Sequence, residues 1–241
     1  MQKASSADRI GDYATAQRLL EELLNKAQLL KCQPYIADAL SNLGGVNYII
    51  GQMDKAADFD NLALELYRKL DNARGIAFAL TNLGNVYVHK GLLIKASDAY
   101  SQSLNTRLPL GRQDEVAVSL TALGNVSFLI GEYNKAVDYY QKAMAADRSQ
   151  ETIAQCQMGI GNVYEFVDQF NQALEYHTKA LVILRSTGKP QDIAKCLNNI
   201  GSDYRAMGQI DKSLDFYTRA VEIQSQQHNR EGVAMGLTNL M

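Results

Sequence analysis

The sequence has no tryptophan, and its 241 residues include only three prolines and three cysteines. Proline falls far below the roughly 5% of average usage, which excludes collagen-like, mucin-like and proline-rich linker architectures. Cys32, Cys156 and Cys196 form no Cys-x-x-Cys pair, so a disulfide framework or a zinc ribbon is excluded. No segment approaches the roughly 20 apolar residues that span a bilayer. The apolar runs are as short as Tyr48-Ile49-Ile50 and Leu92-Leu93-Ile94, so membrane insertion is not expected. Met1 to Ile10 lack the apolar stretch of a signal peptide, and the chain is read as cytoplasmic. There is also no excess of charge: Lys and Arg total 24 against 26 Asp and Glu, a net charge of −2. That balance offers no electrostatic ground for nucleic acid or anionic lipid as the main partner. With 46% hydrophobic and 21% charged residues, the chain can build a core and is not disordered by composition.

What is present is repetition. Ser41-Asn-Leu-Gly-Gly-Val-Asn47, Thr81-Asn-Leu-Gly-Asn-Val-Tyr87, Thr121-Ala-Leu-Gly-Asn-Val-Ser127, Met158-Gly-Ile-Gly-Asn-Val-Tyr164 and Asn198-Asn-Ile-Gly-Ser-Asp-Tyr204 align on glycines at 44, 84, 124, 161 and 201, spaced by 40, 40, 37 and 40 residues. Seven residues later come Gly51, Gly91, Gly131 and Gly208, with Asp168 as the exception, and the same phase reaches back to Gly11. Five residues further lies a small residue (Ala16, Ala56, Ala96, Ala136, Ala173, Ser213), then an aromatic or a pair containing one: Phe59, Tyr100, Tyr139-Tyr140, Tyr176-His177, Phe216-Tyr217.

Both halves of the unit read as helices. Leu80, Leu83, Gly84 and Tyr87 fall at i, i+3, i+4 and i+7, the stripe of one helical face. No sustained period-2 alternation suggests a strand. Asp54, Asn134, Asn171 and Asp211 stand where a side chain is expected to cap the second helix. A mid-helix glycine costs about 1 kcal/mol relative to alanine, so its recurrence in phase points to close helix packing against the bare backbone. Pro34, Pro109 and Pro190 fall between units, where they interrupt no helix.

Leu-Gly-x-x-Tyr, then Gly, Ala, an aromatic and Ala resembles the tetratricopeptide repeat. The likeness covers nearly the whole chain. It implies an all-α fold: a right-handed α-solenoid of antiparallel helix pairs. The 40-residue unit exceeds the family's roughly 34 residues and resembles the longer repeats of Pins/LGN-type adaptors, kinesin light chains and bacterial signalling proteins. HEAT repeats share the period but lack the phased glycine and alanine. Residues 1–241 are read as a single solenoid, with 11–30 the second helix of a partial repeat. Full repeats are expected at 34–73, 74–113, 114–150, 151–190 and 191–230, and 231–241 is read as the first helix of a truncated repeat. The chain is therefore expected to be a section of a longer protein.

Catalytic chemistry is not indicated. There is no phosphate loop, no Gly-x-Gly-x-x-Gly and no Gly-x-Ser-x-Gly, and no cofactor or metal is expected. His89, His177 and His228 share no spacing and read as helix-surface residues. Cys156 and Cys196 occupy one phase of successive helices and read as small buried apolar groups. The sequon Asn125-Val126-Ser127 lies within a helix and is taken as accidental.

The face of the first helices that the core does not need carries the functional reading. The family resemblance places this face in a concave groove. Numbering each first helix from six residues before its Leu/Ile-Gly pair, position 6 holds Asn42, Asn82, Asn199 and Asn239, interrupted by Ala122 and Gly159. Position 9 holds Asn85, Asn125 and Asn162. Asparagine is a poor helix former, yet its amide can both donate and accept. Such a ladder suits the backbone of an extended peptide, and it equally suits bonds between neighbouring repeats; ligand contact is the favoured reading. Phe78, Phe128 and Phe166 supply apolar anchors on a face that should be wet, and Lys195 and Arg205 form a small basic end. The expected function is a protein or peptide-binding scaffold. The alternatives are a sensory domain controlling an attached signalling enzyme, and end-to-end self-association of open solenoid ends.

Overall fold

Glycine and proline punctuate this chain, and the helices run between them. The computed structural model describes residues 3–187 and 189–240. Among these residues twelve α-helices and one short 3-10 turn account for the regular structure, and no strand occurs. The helices are α1 (Lys3–Leu29), α2 (Gln33–Ile49), α3 (Met53–Lys69), α4 (Ala73–His89), α5 (Leu93–Arg107), α6 (Gln113–Ile130), α7 (Tyr133–Ala146), α8 (Gln150–Phe166), α9 (Phe170–Thr187), α10 (Pro190–Ala206), α11 (Ile210–Gln226) and α12 (Arg230–Leu240). The fold is all-α, and consecutive helices joined by two or three residues pack as antiparallel neighbours.

The turn within each pair closes in one way. After α2, Gly51 takes φ +82°, its N–H donates to Tyr48 O, and Gln52 N–H donates to Asn47 O. This double bond satisfies carbonyls that the helix end leaves open. Gly91, Gly131 and Gly208 repeat the arrangement, and Asp168 takes the same left-handed backbone at φ +60°. Aspartate tolerates that region better than most residues, so the exception to the glycine phase keeps the turn. Gly11, by contrast, lies inside α1, which begins eight residues earlier than the helix expected to start at residue 11. A lone interior glycine costs only about 1 kcal/mol and does not by itself end a helix.

The expected capping residues do not cap. α3, α5, α7 and α11 begin after Gln52, Leu92, Glu132 and Gln209, none of which makes a side-chain cap bond. Asp54 and Asp211 instead lie in the first turn, where a negative charge faces the positive helix end. Side-chain caps occur on first helices: Asn72 accepts from Gly75 N–H, Ser149 from Thr152 N–H and Asn229 from Gly232 N–H. Pro34 and Pro190 stand in first turns, and Pro109 stands in the 3-10 turn Leu108–Leu110.

The chain divides into two compact units, one ending at Val126 and one beginning at Ser127. In the first, Leu40, Leu64, Tyr67, Leu80 and Leu83 bury one core among α2, α3 and α4. In the second, Leu181, Leu184, Leu197, Ile200 and Ala220 do so among α9, α10 and α11. Cys156 and Cys196 are fully buried and form no disulfide. No helix among the described residues is long and apolar enough to cross a membrane.

Candidate functional site

The phased glycines are notches. A Cβ built on Gly84 would fall 2.4 Å from the ring of Tyr100, and one on Gly201 would fall 2.7 Å from the ring of Tyr217. At Gly161 the neighbour is His177, at 2.4 Å, and at Gly44 it is the Asp60 carboxyl, at 2.6 Å. The side chain sixteen residues after each of these glycines therefore fills its notch. Two of the occupants, His177 and Asp60, are polar groups with no exposed surface.

His177 corrects the expectation of a surface histidine. Its Nδ1 lies 2.7 Å from Asp203 Oδ2 and its Nε2 lies 3.1 Å from Asn162 Oδ1, so both ring nitrogens face oxygens. Asp203 stands where the other repeats have Val46, Val86, Val126 and Val163. Burial raises its carboxyl above the usual range, and the His177 bond opposes that shift. Cys196 directs its thiol to His177 O at 3.1 Å, and burial pushes that thiol up to about 12. In the first unit, burial raises Asp60 to about 7 against bonds from Asn82 and Ser41.

These occupants account for much of the asparagine ladder. Asn82 donates to Asp60 Oδ1 at 3.1 Å, and Asn199 donates to Asn162 Oδ1 at 2.8 Å and lies 3.4 Å from His177 Nε2. Where the occupant is Tyr140, the following first helix carries Gly159, whose added Cβ would lie 2.6 Å from the tyrosine ring. Ala122 follows Tyr100 in the same register. Position 6 thus has asparagine after Asp60 and His177 and a small residue after Tyr100 and Tyr140, while Asn239 follows Tyr217. At position 9, Asn85 accepts from the Tyr100 hydroxyl at 2.6 Å, as Asn162 faces His177. Asn42 is exposed and donates to Asp38 O of its own helix at 2.8 Å, and Asn125 is exposed.

In the second unit the expected groove residues gather in two adjoining recesses. One, of about 460 Å³, is lined by Phe128, Asn162, Glu165, Phe166 and Phe170. Phe128 and Phe166 meet edge-to-face with centroids 5.6 Å apart, and Tyr133 lies 5.2 Å from Phe166. Phe166 is 62% exposed. The other, of about 260 Å³, brings Lys195, Asn199 and Arg205 together with Glu165, Ser202 and Met235. Ser202 donates to Glu165 Oε1 at 2.5 Å, and the Arg205 guanidinium lies 5.8 Å from the Tyr217 ring centre. Phe78 belongs to the first unit and is 48% exposed.

Tyr133, Phe170 and Glu165 were not singled out by sequence reasoning. The first two begin second helices two residues after the Gly131 and Asp168 turns, a phase that was read only for caps. Among the described residues no cluster of His, Cys, Asp and Glu could hold a metal ion.

A tetratricopeptide repeat model matches residues 35–108, 75–149 and 152–226. The search of curated proteins gave no match. Among solved structures, BtubC (BKLC) from P. vanneervenii superposes with a TM-score of 0.74 at 21% identity, over 90% of this chain and 91% of that one. A Rap protein complexed with competence and sporulation factor has a TM-score of 0.69 at 16% identity, over 99% of this chain and 72% of that one. A kinesin light chain, described as putative and as having nearly identical TPR-like repeats, from Podosopora anserina gives 0.65 at 16% identity, over 79% and 95%.

Proposed function

The chain belongs to the tetratricopeptide repeat family, and from that premise we propose that it is a non-catalytic scaffold holding an extended or helical segment of a partner protein along its first helices. One observation carries the reading: in the second unit the half-buried Phe128 and Tyr133 and the exposed Phe166 form an aromatic cluster beside a polar strip of Lys195, Asn199 and Arg205. Exposed apolar surface rimmed by polar groups is the usual form of an interaction site. In the first unit, taken by itself, we read Phe78 and Asn82 as the corresponding first-helix residues, with Asn42, Asn85 and Asn125 as further amides. Three cysteines with no disulfide among them and a near-neutral charge suit the reducing cytoplasm.

The test is selection of a random displayed-peptide library on the whole chain. Enriched peptides should lose affinity by about tenfold or more on Phe128→Ala with Phe166→Ala. Failure to enrich any sequence, or indifference to both substitutions, overturns the reading.

A second reading is favoured by the Rap structure, which holds a named factor: a peptide sensor controlling an attached signalling enzyme. A catalytic domain beside these repeats in the parent open reading frame would select it. End-to-end self-association is a third, and a concentration-independent monomer mass by light scattering would remove it.

A further inference from the structure

Three other buried or nearly buried carboxylates each have a charged or hydrogen-bonding partner. Glu115 meets Arg74 at 3.1 Å, Arg112 at 3.2 Å and Arg107 at 3.8 Å. Asp203 has His177, and Asp60 has Asn82 and Ser41. Glu165 is different. It is half-buried on α8, its Oε1 takes only the Ser202 hydroxyl, and no cation of the described residues lies within 4.0 Å of it. The two basic residues of the adjoining recess are engaged elsewhere, Lys195 with Asp192 at 4.0 Å and Arg205 over the Tyr217 ring. No basic residue lines the aromatic recess at all.

Register explains how the carboxylate reaches the rings. Phe128, Glu165 and Arg205 occupy the same position, four residues after the phased glycine, in successive first helices. Phe166, next to Glu165, and Phe170, at the start of α9, complete the walls. Aromatic faces carry negative charge density that attracts cations, and a carboxylate beside them adds a full charge in a partly dehydrated place.

We infer that the recess of Phe128, Phe166, Phe170 and Glu165 binds a cationic side chain of the partner peptide, its aliphatic stem against the rings and its charged head on Glu165. The inference rests on the peptide-binding reading and names the residue type that this part of the groove selects. Two sources fit the chemistry. An arginine stacks its planar head on an aromatic ring and meets a carboxylate through two N–H groups, whereas a trimethyl-lysine has no N–H to donate and meets the rings and the carboxylate by charge alone.

The experiment is a titration of the whole chain, with phenylalanine rings labelled for NMR, by four probes: the N-acetyl amides of arginine, trimethyl-lysine, citrulline and norleucine. The arginine or the trimethyl-lysine probe should give saturable shifts of the Phe128, Phe166 and Phe170 rings at least about tenfold tighter than its neutral comparators. Glu165→Gln should remove most of that preference, Glu165→Asp should keep part of it, and circular dichroism should be unchanged in both. An arginine preference identifies a plain basic residue, and a trimethyl-lysine preference identifies a modified one. Equal or tighter binding of norleucine overturns the cation assignment while leaving peptide binding standing. No saturable shift with any probe, or a preference indifferent to Glu165→Gln, also overturns it, and enrichment in the library selection decides the peptide-binding reading separately.

Discussion

The imidazole of His177 and the carboxylate of Asp203 meet at 2.7 Å with both side chains fully buried. They belong to successive repeats and replace a tyrosine that three other repeats use, Tyr100, Tyr140 and Tyr217, where the first has Asp60, and a valine that the other four use, Val46, Val86, Val126 and Val163. The polar pair is thus an exchange of one buried contact for another within the same backbone frame.

That exchange predicts strong coupling. His177→Tyr alone fills the Gly161 notch but leaves Asp203 buried without its partner, and breaking a buried pair from one side costs about 3–5 kcal/mol. Asp203→Val alone strands the histidine in the same way. The double variant restores the arrangement of Tyr100 and Val126 and should recover most of the loss, because apolar replacement of a buried pair is commonly neutral or better. Urea unfolding of the four proteins gives the coupling energy; additive losses would show that the two residues do not act as a unit.

Asp60 predicts a pH dependence. Burial raises its folded-state value to about 7, against about 3.9 in an unfolded chain. The folded protein therefore holds the proton more tightly than the unfolded one. The stability this contributes is complete below pH about 4 and is lost as pH rises to about 7. Asp60→Asn removes the ionisation, so the variant should gain on the wild type by on the order of 1–3 kcal/mol between pH 4.5 and 8. Parallel urea midpoints for the two proteins across that range would rule the effect out.

The helix pairs were legible in the sequence because two glycine phases, a small-residue phase and an aromatic phase each answer to a rigid geometric need. The occupants of the notch were partly legible: Tyr176-His177 was seen in the aromatic phase, but a histidine there reads as polar surface until Asp203 is recognised as the departure from valine in the next repeat. The caps were misplaced by two residues because the left-handed turn, not a side chain, starts the second helix. Glu165 had no local signal. Its meaning arises from Phe128, 37 residues earlier, and from the absence of a cation within reach, which spacing does not reveal.

Two adjacent glycines separate packing from propensity. A Cβ on Gly44 would lie 2.6 Å from the Asp60 carboxyl, whereas one on Gly45 meets nothing within 4 Å. Gly45→Ala should stabilise the protein by about 0.5–1 kcal/mol through helix propensity and lost unfolded-state freedom. Gly44→Ala gains the same propensity but must displace a buried carboxyl, and should destabilise by about 1–3 kcal/mol as overpacking does. Thermal unfolding of both variants measures the sign; equal shifts would mean the notch can yield.

The asparagine ladder divides along the same line. Asn42 bonds only to a carbonyl of its own helix and is exposed, so Asn42→Ala should change stability by less than about 0.5 kcal/mol. Asn162 is the acceptor that both His177 and Asn199 face. Asn162→Ala leaves a buried ring nitrogen and an amide without that acceptor, and should cost about 1–3 kcal/mol. The Phe128 and Phe166 recess is also lined by Asn162, so the same substitution should weaken any peptide selected on the groove, while Asn162→Asp retains an acceptor and should restore part of the stability. Unfolding and peptide affinity measured on the same three variants distinguish the roles. If Asn162→Ala lowers affinity with no loss of stability, its amide serves the ligand and not the stack. If stability falls and affinity is unchanged, it serves the stack alone.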